Sequence, residues 1–209
     1  MIVRIDPILP EKQTLEHAAA VLTAGGLVVA PTETRYGLLG RADRQDVLEK
    51  LYEVKQRSLD SPTALLIRDF DEVEQYARVN RAAIALAERF LPGPMTLVLS
   101  ATCDWPPPRV VNGKIGLRWS SSPVVRALLD LVEVPVTATS ANITGQPEHG
   151  CVQEIVDDFE DRVALYLDSG SLTGPVSTVI DCSEDQPRVL REGAVALEEI
   201  TRIMDELHD

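Results

Sequence analysis

Short apolar segments of strand length alternate with amphipathic segments of helix length along most of this 209-residue chain. Helical periodicity occurs in residues 14–26, 44–56, 81–90 and 123–131, with apolar runs between them. This alternation is typical of a layered domain in which helices cover a sheet, so we predict an α/β (α+β) fold class. The proline and glycine clusters have the composition of turns rather than of linkers, and we therefore predict a single domain over residues 1–209.

Local signals indicate where the predicted helices begin and end. Thr14 can cap the first helix and Gly25-Gly26 can end it, while Asn80 can cap residues 81–90. The stripe of that helix expected to face the core is Ile84, Ala87 and Leu91. The predicted strands are 27–31, 62–67, 96–100, 114–119, 135–139, 163–167, 177–181 and 188–191. Further helices are expected near residues 151–159 and from about 197.

The charge balance limits the partners that such a chain can have. Twenty Lys and Arg residues face 33 Asp and Glu residues, for a net charge of −13. Non-specific binding along nucleic acid needs many Lys and Arg contacts to phosphates. The acidic charge balance therefore excludes that function, but it is compatible with a local basic pocket. No apolar run approaches the ~20 residues that span a bilayer. The first residues lack the features of a signal peptide, so we expect a cytoplasmic protein without a membrane partner.

Cysteine and histidine offer little catalytic or metal-binding chemistry in this sequence. The cysteines, which are far apart and have no paired spacing, are Cys103, Cys151 and Cys182. They favour a reducing compartment and argue against a disulfide framework or a zinc site. The histidines, which lie away from the polar segments described next, are His17, His149 and His208. We therefore expect no histidine-based triad and no metal ion held by the protein.

Polar and cationic residues interrupt the apolar strands at six places. These are "PTETRYGLLG" (31–40), "KQR" (55–57), "GLR" (116–118), "TATSANITG" (137–145), "GPVSTVID" (174–181) and "RVLREG" (188–193). Each has a plain structural explanation: Lys55 and Arg57 could complement a helix dipole, and Arg118 could face water from an edge strand. "SANITG" could be a capped turn. Together they predict a pocket of cations and small hydroxyl groups, which suits a polyphosphate and a small polar molecule.

Seven segments of the chain occur in the order and spacing of the YrdC/Sua5/YciO family, which residues 10–195 resemble. They are "PTETRYGL", "KQRSLDSP", "LPGPMTLVL", "GLR", "TSANITG", "STVID" and "REG". The resemblance implies an open, twisted mixed sheet with flanking helices around a large concave cavity. It implies a nucleotidyltransferase that makes L-threonylcarbamoyladenylate and pyrophosphate from L-threonine, bicarbonate and ATP. Mg²⁺ would arrive with ATP, and a tRNA threonylcarbamoyl transferase complex would use the product.

The resemblance also assigns residues to the two larger substrates. Lys55 and Arg57 would be the catalytic cations, because they would neutralise charge that develops on the phosphates. The implied ATP contacts are Lys55, Arg57, Ser61, Lys114, Ser140, Asn142, Glu148 and Arg191. The implied threonine contacts are Thr32, Thr34, Arg118, Ala138 and Ser177. The planar fork of Arg118 suits the threonine carboxylate.

Some positions depart from the family pattern, and two alternative functions stay open. The departures are Arg35, Ser58, Leu66 and Glu148, of which Leu66 stands where longer members have a histidine. The alternatives are an RNA-binding module of the same fold and a YciO-like paralogue that acts on a different acceptor. The acidic balance counts against tight nucleic-acid binding, and the intact Lys-x-Arg and Ser-Ala-Asn motifs favour the synthases.

Overall fold

The computed structural model describes residues 1–207, so His208 lies outside the described residues. The strands of this part are β1 (Ile2–Arg4), β2 (Val28–Pro31), β3 (Tyr36–Arg41), β4 (Ala64–Leu66), β5 (Ala77–Arg78), β6 (Met95–Ala101), β7 (Lys114–Arg118), β8 (Val136–Ser140), β9 (Leu165–Asp168), β10 (Thr178–Asp181) and β11 (Arg188–Arg191). The α-helices are α1 (Lys12–Thr23), α2 (Gln45–Val54), α3 (Arg81–Phe90), α4 (Pro123–Leu131), α5 (Val152–Phe159) and α6 (Leu197–Glu206). Short 3₁₀ helices span Asp71–Gln75 and Glu160–Arg162. Within these residues no helix has the length and apolarity to cross a membrane.

All the described strands join one mixed sheet, which confirms the predicted fold class. Its order is β1-β9-β2-β3-β8-β4-β7-β6-β10-β11, and β5 pairs with β6. The β1–β9, β2–β9, β4–β7 and β6–β10 pairs are parallel, and the remaining pairs are antiparallel. The register sets Ala138 opposite Ala64, and Arg118 opposite Leu66. The polar motifs of the sequence therefore meet on the central strands.

The position of β7 overturns the structural explanation of Arg118 as a residue of an edge strand. β7 lies between β4 and β6, and only 14% of the Arg118 side chain is exposed. A charged side chain that is held this far from water needs polar or charged partners, because desolvation without them costs several kcal/mol.

Helix ends follow the sequence signals at Asn80, Pro123 and Gly25 and depart from them at Thr14. The Asn80 side chain accepts the Ala83 N–H at 2.9 Å, and α3 has the predicted bounds. α4 begins at Pro123 as predicted, because the rigid proline suits a first helical turn. Thr14 is not a cap, since α1 begins at Lys12. Gly25 does end that helix region, with a φ of +90° that favours glycine.

The core is divided among three groups of buried side chains. Helices α1 and α4 pack with β2 and β9, helices α3 and α6 pack with β6 and β7, and α2 and α5 cover β3. The apolar residues that recur at helical spacing in 44–56 are buried in α2: Val47, Leu48, Leu51 and Val54. The stripe predicted for α3 is confirmed at Ala87 and wrong at Ile84, which is 42% exposed, because the helix buries Ala82, Ala83 and Leu86 beside Ala87.

Candidate functional site

A cavity of about 730 Å³ lies against the central strands, and its volume is that of a small-molecule site. Its lining includes most of the predicted substrate-contacting residues: Thr32, Thr34, Arg57, Ser61, Lys114, Arg118, Ala138, Ser140, Glu148, Ser177 and Arg191. Lys55 and Asn142 lie outside this lining. Of the departures from the family pattern, Arg35, Leu66 and Glu148 line the cavity.

The Arg118 guanidinium is held among hydroxyl groups at the end of β7. Its Nη2 donates to Thr34 Oγ1 at 2.9 Å, and its Nη1 donates to Ser177 Oγ at 3.4 Å. Thr32 Oγ1 donates to the Arg35 carbonyl at 2.6 Å and accepts the Thr34 N–H, so this hydroxyl shapes the turn between β2 and β3. The result is a fixed cation beside two hydroxyls, which suits a small ligand that carries a carboxylate and a hydroxyl.

A second cation, Arg191, is attached to the same serine. Arg191 donates to Ser177 through Nε–H to the carbonyl at 3.0 Å and through Nη2 to Oγ at 2.8 Å. Its Nη1 lies 3.8 Å from Glu148 Oε1. Burial lowers the pKa of Arg191 from its usual value, and Glu148 opposes that shift. Ser177 thus joins the two guanidinium groups across the cavity wall.

Lys114 forms a partly exposed ion pair within the same cavity lining. Its Nζ lies 2.8 Å from Asp181 Oδ2, and both residues line the cavity. Burial acts to raise the pKa of Asp181, but hydrogen bonds from Lys114 and Ser183 outweigh it and hold that pKa below its usual value. Asp181 therefore stays ionised and fixes the ammonium in place.

Arg57 reaches the cavity from the segment that follows α2. Its Nη2 donates to the Pro62 carbonyl at 2.7 Å, and its Nη1 donates to Thr139 Oγ1 at 3.3 Å. The guanidinium also lies 5.5 Å from the centre of the Tyr52 ring. Tyr52 in turn donates its hydroxyl to the Ser61 carbonyl at 2.6 Å. These contacts hold the Arg57 guanidinium in a fixed position in the cavity wall, although the segment that carries it has no regular secondary structure.

Lys55 is buried beneath the loop that follows β8 and is only 2% exposed. Its ammonium donates to the Ser140 carbonyl and, at 2.9 Å, to the Asn142 carbonyl. The Lys55 carbonyl accepts the Thr144 N–H at 2.9 Å, so both ends of this residue hold residues 140–144. Burial, followed by the repulsion from Arg57, lowers the Lys55 pKa to about 7. Its predicted contact with a phosphate stays a prediction.

The sequence reasoning missed Glu33, Thr139 and Asp181. Glu33 accepts a hydrogen bond from Arg118 Nη2 at 2.8 Å, whereas Thr139 and Asp181 line the cavity. All three stand inside or beside the polar segments, so their position in those motifs was the available signal. Their tertiary partners, however, are set by strand pairing over long sequence separations.

The chain is thus an α/β protein with a small-molecule site, and that site is lined by guanidinium, ammonium and hydroxyl groups. The chain belongs to the Sua5/YciO/YrdC family: the family model, which carries the description "Telomere recombination", matches residues 20–193.

Two curated relatives show the range of chain lengths in the family. The chain is 35% identical over 202 residues to threonylcarbamoyl-AMP synthase of Pyrococcus abyssi, with 94% of this chain and 59% of the relative covered. It is 32% identical over 192 residues to a putative threonylcarbamoyl-AMP synthase of Methanocaldococcus jannaschii, with 91% of each covered. The chain thus spans about 60% of the length of the Pyrococcus abyssi relative and of a similar one from Bacillus subtilis.

Two solved structures resemble the fold closely. Sua5 of Pyrococcus abyssi, complexed with L-threonine, has a TM-score of 0.90 at 34% identity, covering 99% of this chain and 61% of that one. YciO of Escherichia coli has a TM-score of 0.87 at 28% identity, covering 96% of this chain and 98% of that one. The predicted cavity-containing mixed sheet is therefore confirmed by both the structure and its relatives.

Proposed function

We propose that this chain makes L-threonylcarbamoyladenylate from L-threonine, bicarbonate and ATP, with release of pyrophosphate. The observation that carries the proposal is the guanidinium of Arg118, which is held in the cavity wall beside the hydroxyls of Thr34 and Ser177. A carboxylate, a hydroxyl and an amine are the groups by which threonine would be recognised there. The L-threonine bound by the Pyrococcus abyssi structure and the names of the curated relatives support this reading.

The proposed reaction needs no nucleophile from the protein. The threonine amine loses a proton and combines with the carbon of bicarbonate to give a carbamate, with loss of water. A carbamate oxygen then attacks the α-phosphorus of ATP in line, and pyrophosphate leaves. Catalysis is therefore positioning and charge neutralisation, in which Arg118 holds the threonine carboxylate and Arg57 and Arg191 face the phosphates. In this scheme the Lys55 ammonium holds the loop that presents Ser140, through hydrogen bonds to the Ser140 and Asn142 carbonyls.

The carboxylates of the cavity suit a cation that comes with its substrate. Within residues 1–207 no cluster of three or more His, Cys, Asp or Glu side chains could hold a metal ion. Single carboxylates of Asp60, Glu148 and Asp181 line the cavity. Mg²⁺ commonly takes one or two carboxylates and completes its shell with phosphate oxygens and waters. Bound in this way, Mg²⁺ would supply neutralisation of phosphate charge.

Further proposals follow from the same reaction. A labile adenylate must be consumed quickly, so the product would pass to a tRNA threonylcarbamoyl transferase complex in the cytoplasm.

A second candidate function is activation of a different carbamoyl or acyl acceptor. The observation that favours it is the 31% identity to YciO of Escherichia coli, an uncharacterised protein covered over 93% of its length.

The test is product analysis with a panel of acceptors. The protein is incubated with ATP, Mg²⁺, bicarbonate and each of several amino acids, and the adenylates are identified by mass spectrometry. We expect threonylcarbamoyl-adenylate and an equal amount of pyrophosphate with threonine, and much less adenylate with any other amino acid of the panel. Arg118→Ala, checked by thermal melting, should lose the product while it stays folded. An adenylate formed with another acceptor but not with threonine would replace the proposal by the second candidate.

A further inference from the structure

The Arg118 guanidinium has a carboxylate partner that belongs to neither the ATP contacts nor the threonine contacts. Glu33 Oε1 lies 2.8 Å from Arg118 Nη2, and Glu33 Oε2 accepts a hydrogen bond from the Ser120 hydroxyl. The two charged side chains are 13% and 14% exposed, so their ion pair is largely shielded from water. In the proposed reaction Arg118 binds the threonine carboxylate, whereas Glu33 has no assigned role.

Glu33 stands behind the wall, because Arg118 and both flanking threonines line the cavity whereas Glu33 does not. Its carboxylate is fixed at both oxygens by residues at or just beyond the end of β7. Ser120 is itself buried, and its hydroxyl accepts the Ser122 N–H. Glu33 is therefore a rigid acceptor on the side of the guanidinium that faces away from the ligand.

We infer that Glu33 is a positioning residue, which orients the Arg118 guanidinium toward the carboxylate of the amino-acid substrate. The inference rests on the proposed function and deepens it. Arginine has several rotatable bonds, and a misplacement of about 1 Å at a binding group can cost about 10²-fold in rate. A fixed counter-charge also supplies the partner that a largely buried guanidinium needs while the site holds no ligand.

The test compares the KM for threonine with the KM for ATP in Glu33→Gln. The amide keeps the size of the side chain but loses the charge that holds Arg118, so we expect the threonine KM to rise about 10- to 100-fold and the ATP KM to stay within about twofold. Glu33→Asp should recover part of the loss. In an Arg118→Ala background, Glu33→Gln should cause no further loss of threonine binding, measured directly by isothermal titration calorimetry, because the two residues act as a unit.

A matched control uses the ion pair of Glu72 with Arg68, which lies outside the cavity lining. The Glu72 carboxylate accepts hydrogen bonds from the Arg68 side chain and backbone, and it is 16% exposed. Glu72→Gln should leave both KM values unchanged. A Glu33→Gln protein that binds threonine more tightly would overturn the inference, since Glu33 would then compete with the substrate. Equal rises in both KM values would overturn it too.

A crystal structure of Glu33→Gln gives a readout that needs no substrate. We expect the Arg118 guanidinium to leave the Thr34 hydroxyl. A guanidinium that stays in place would overturn the positioning role, whatever the enzyme makes. A wild-type protein that yields no threonylcarbamoyl-adenylate, together with a displaced Arg118 in the variant, would overturn the proposed function and leave the positioning role supported.

Discussion

The Lys55 ammonium lies 2.9 Å from the Asn142 carbonyl oxygen, in a position where Lys55 is only 2% exposed. Because burial lowers its pKa from 10.5 to about 7, the folded protein binds one proton fewer than the unfolded chain between these two values. The stability that this group contributes is therefore lost as pH falls toward 7 and regained as pH rises toward 10.5.

The first prediction concerns this pH dependence. Over pH 7.5–9.5 the buried lysine should add a slope of up to about 1.4 kcal/mol per pH unit to the free energy of unfolding of the wild type. Lys55→Met should remove that slope. Urea unfolding at several pH values measures it, and Lys12→Met is the control, since Lys12 is 83% exposed. Parallel curves for the wild type and Lys55→Met would show that Lys55 titrates alike in both states.

The second prediction concerns Arg57. If this residue only complemented the dipole of α2, Arg57→Ala would change stability by about 0.3–1 kcal/mol and leave activity alone. In the proposed role its guanidinium binds a phosphate whose charge grows in the transition state. The loss should then be about 10²–10³ in rate, or about 2.7–4 kcal/mol. Arg57→Lys keeps the charge without the planar fork and should recover only part of the loss.

Pyrophosphate release from ATP with threonine and bicarbonate measures this effect, alongside thermal melting of each variant. Arg41→Ala is the matched control, because Arg41 pairs with Asp43 and the Thr23 carbonyl outside the cavity lining. A folded Arg57→Ala protein with full turnover would mean that Arg57 holds no phosphate.

Features with local causes could be predicted from the sequence, and features with distant causes could not. Asn80 and Pro123 carry their own capping chemistry, so α3 and α4 have the predicted starts. The sequence patterns predict no strand over residues 36–41, because β3 is apolar on both faces and shows no alternation. Ile84 was misplaced since an alanine-rich helix gives little contrast between its faces.

The candidate site shows the same division. Most of the residues that the motifs assigned to the substrates line the cavity, but Lys55 and Asn142 do not. The motifs did not predict that Lys55 is covered by the loop after β8, nor that Glu33 pairs with a residue 85 positions away. Both facts depend on how loops fold over strand ends, which no local pattern encodes.

The third prediction concerns the choice of amino acid. A site that hydrogen-bonds a hydroxyl rejects an analogue without it by about 10⁴–10⁵, whereas a missing methyl group costs only about 10–200-fold. Thr34 and Ser177 both place hydroxyls beside Arg118. Serine should therefore be a poor substrate and valine a much poorer one, as measured by kcat/KM for adenylate formation. Equal turnover of valine and threonine would show that the site does not recognise the threonine hydroxyl, and the assignment of threonine as the substrate would be wrong.

The last prediction concerns RNA, which the proposed pathway modifies but which this chain alone should bind weakly. The net charge of −13 repels a polyanion, the cavity residues Arg118, Lys114 and Arg191 pair with Glu33, Asp181 and Glu148, respectively, and Arg57 donates to a backbone carbonyl. We expect a dissociation constant of ~10 µM or weaker for tRNA near physiological salt, which is in the non-specific range.

Fluorescence anisotropy of labelled tRNA, measured at several salt concentrations, makes this test. Binding that comes from a few phosphate contacts should weaken with a shallow slope against the logarithm of salt, and random double-stranded RNA should compete as well as tRNA. Tight binding that resists salt and that only tRNA can displace would require specific contacts beyond phosphates. Because the net charge of −13 works against phosphate contacts, that result would favour the RNA-binding module over the synthase acting alone.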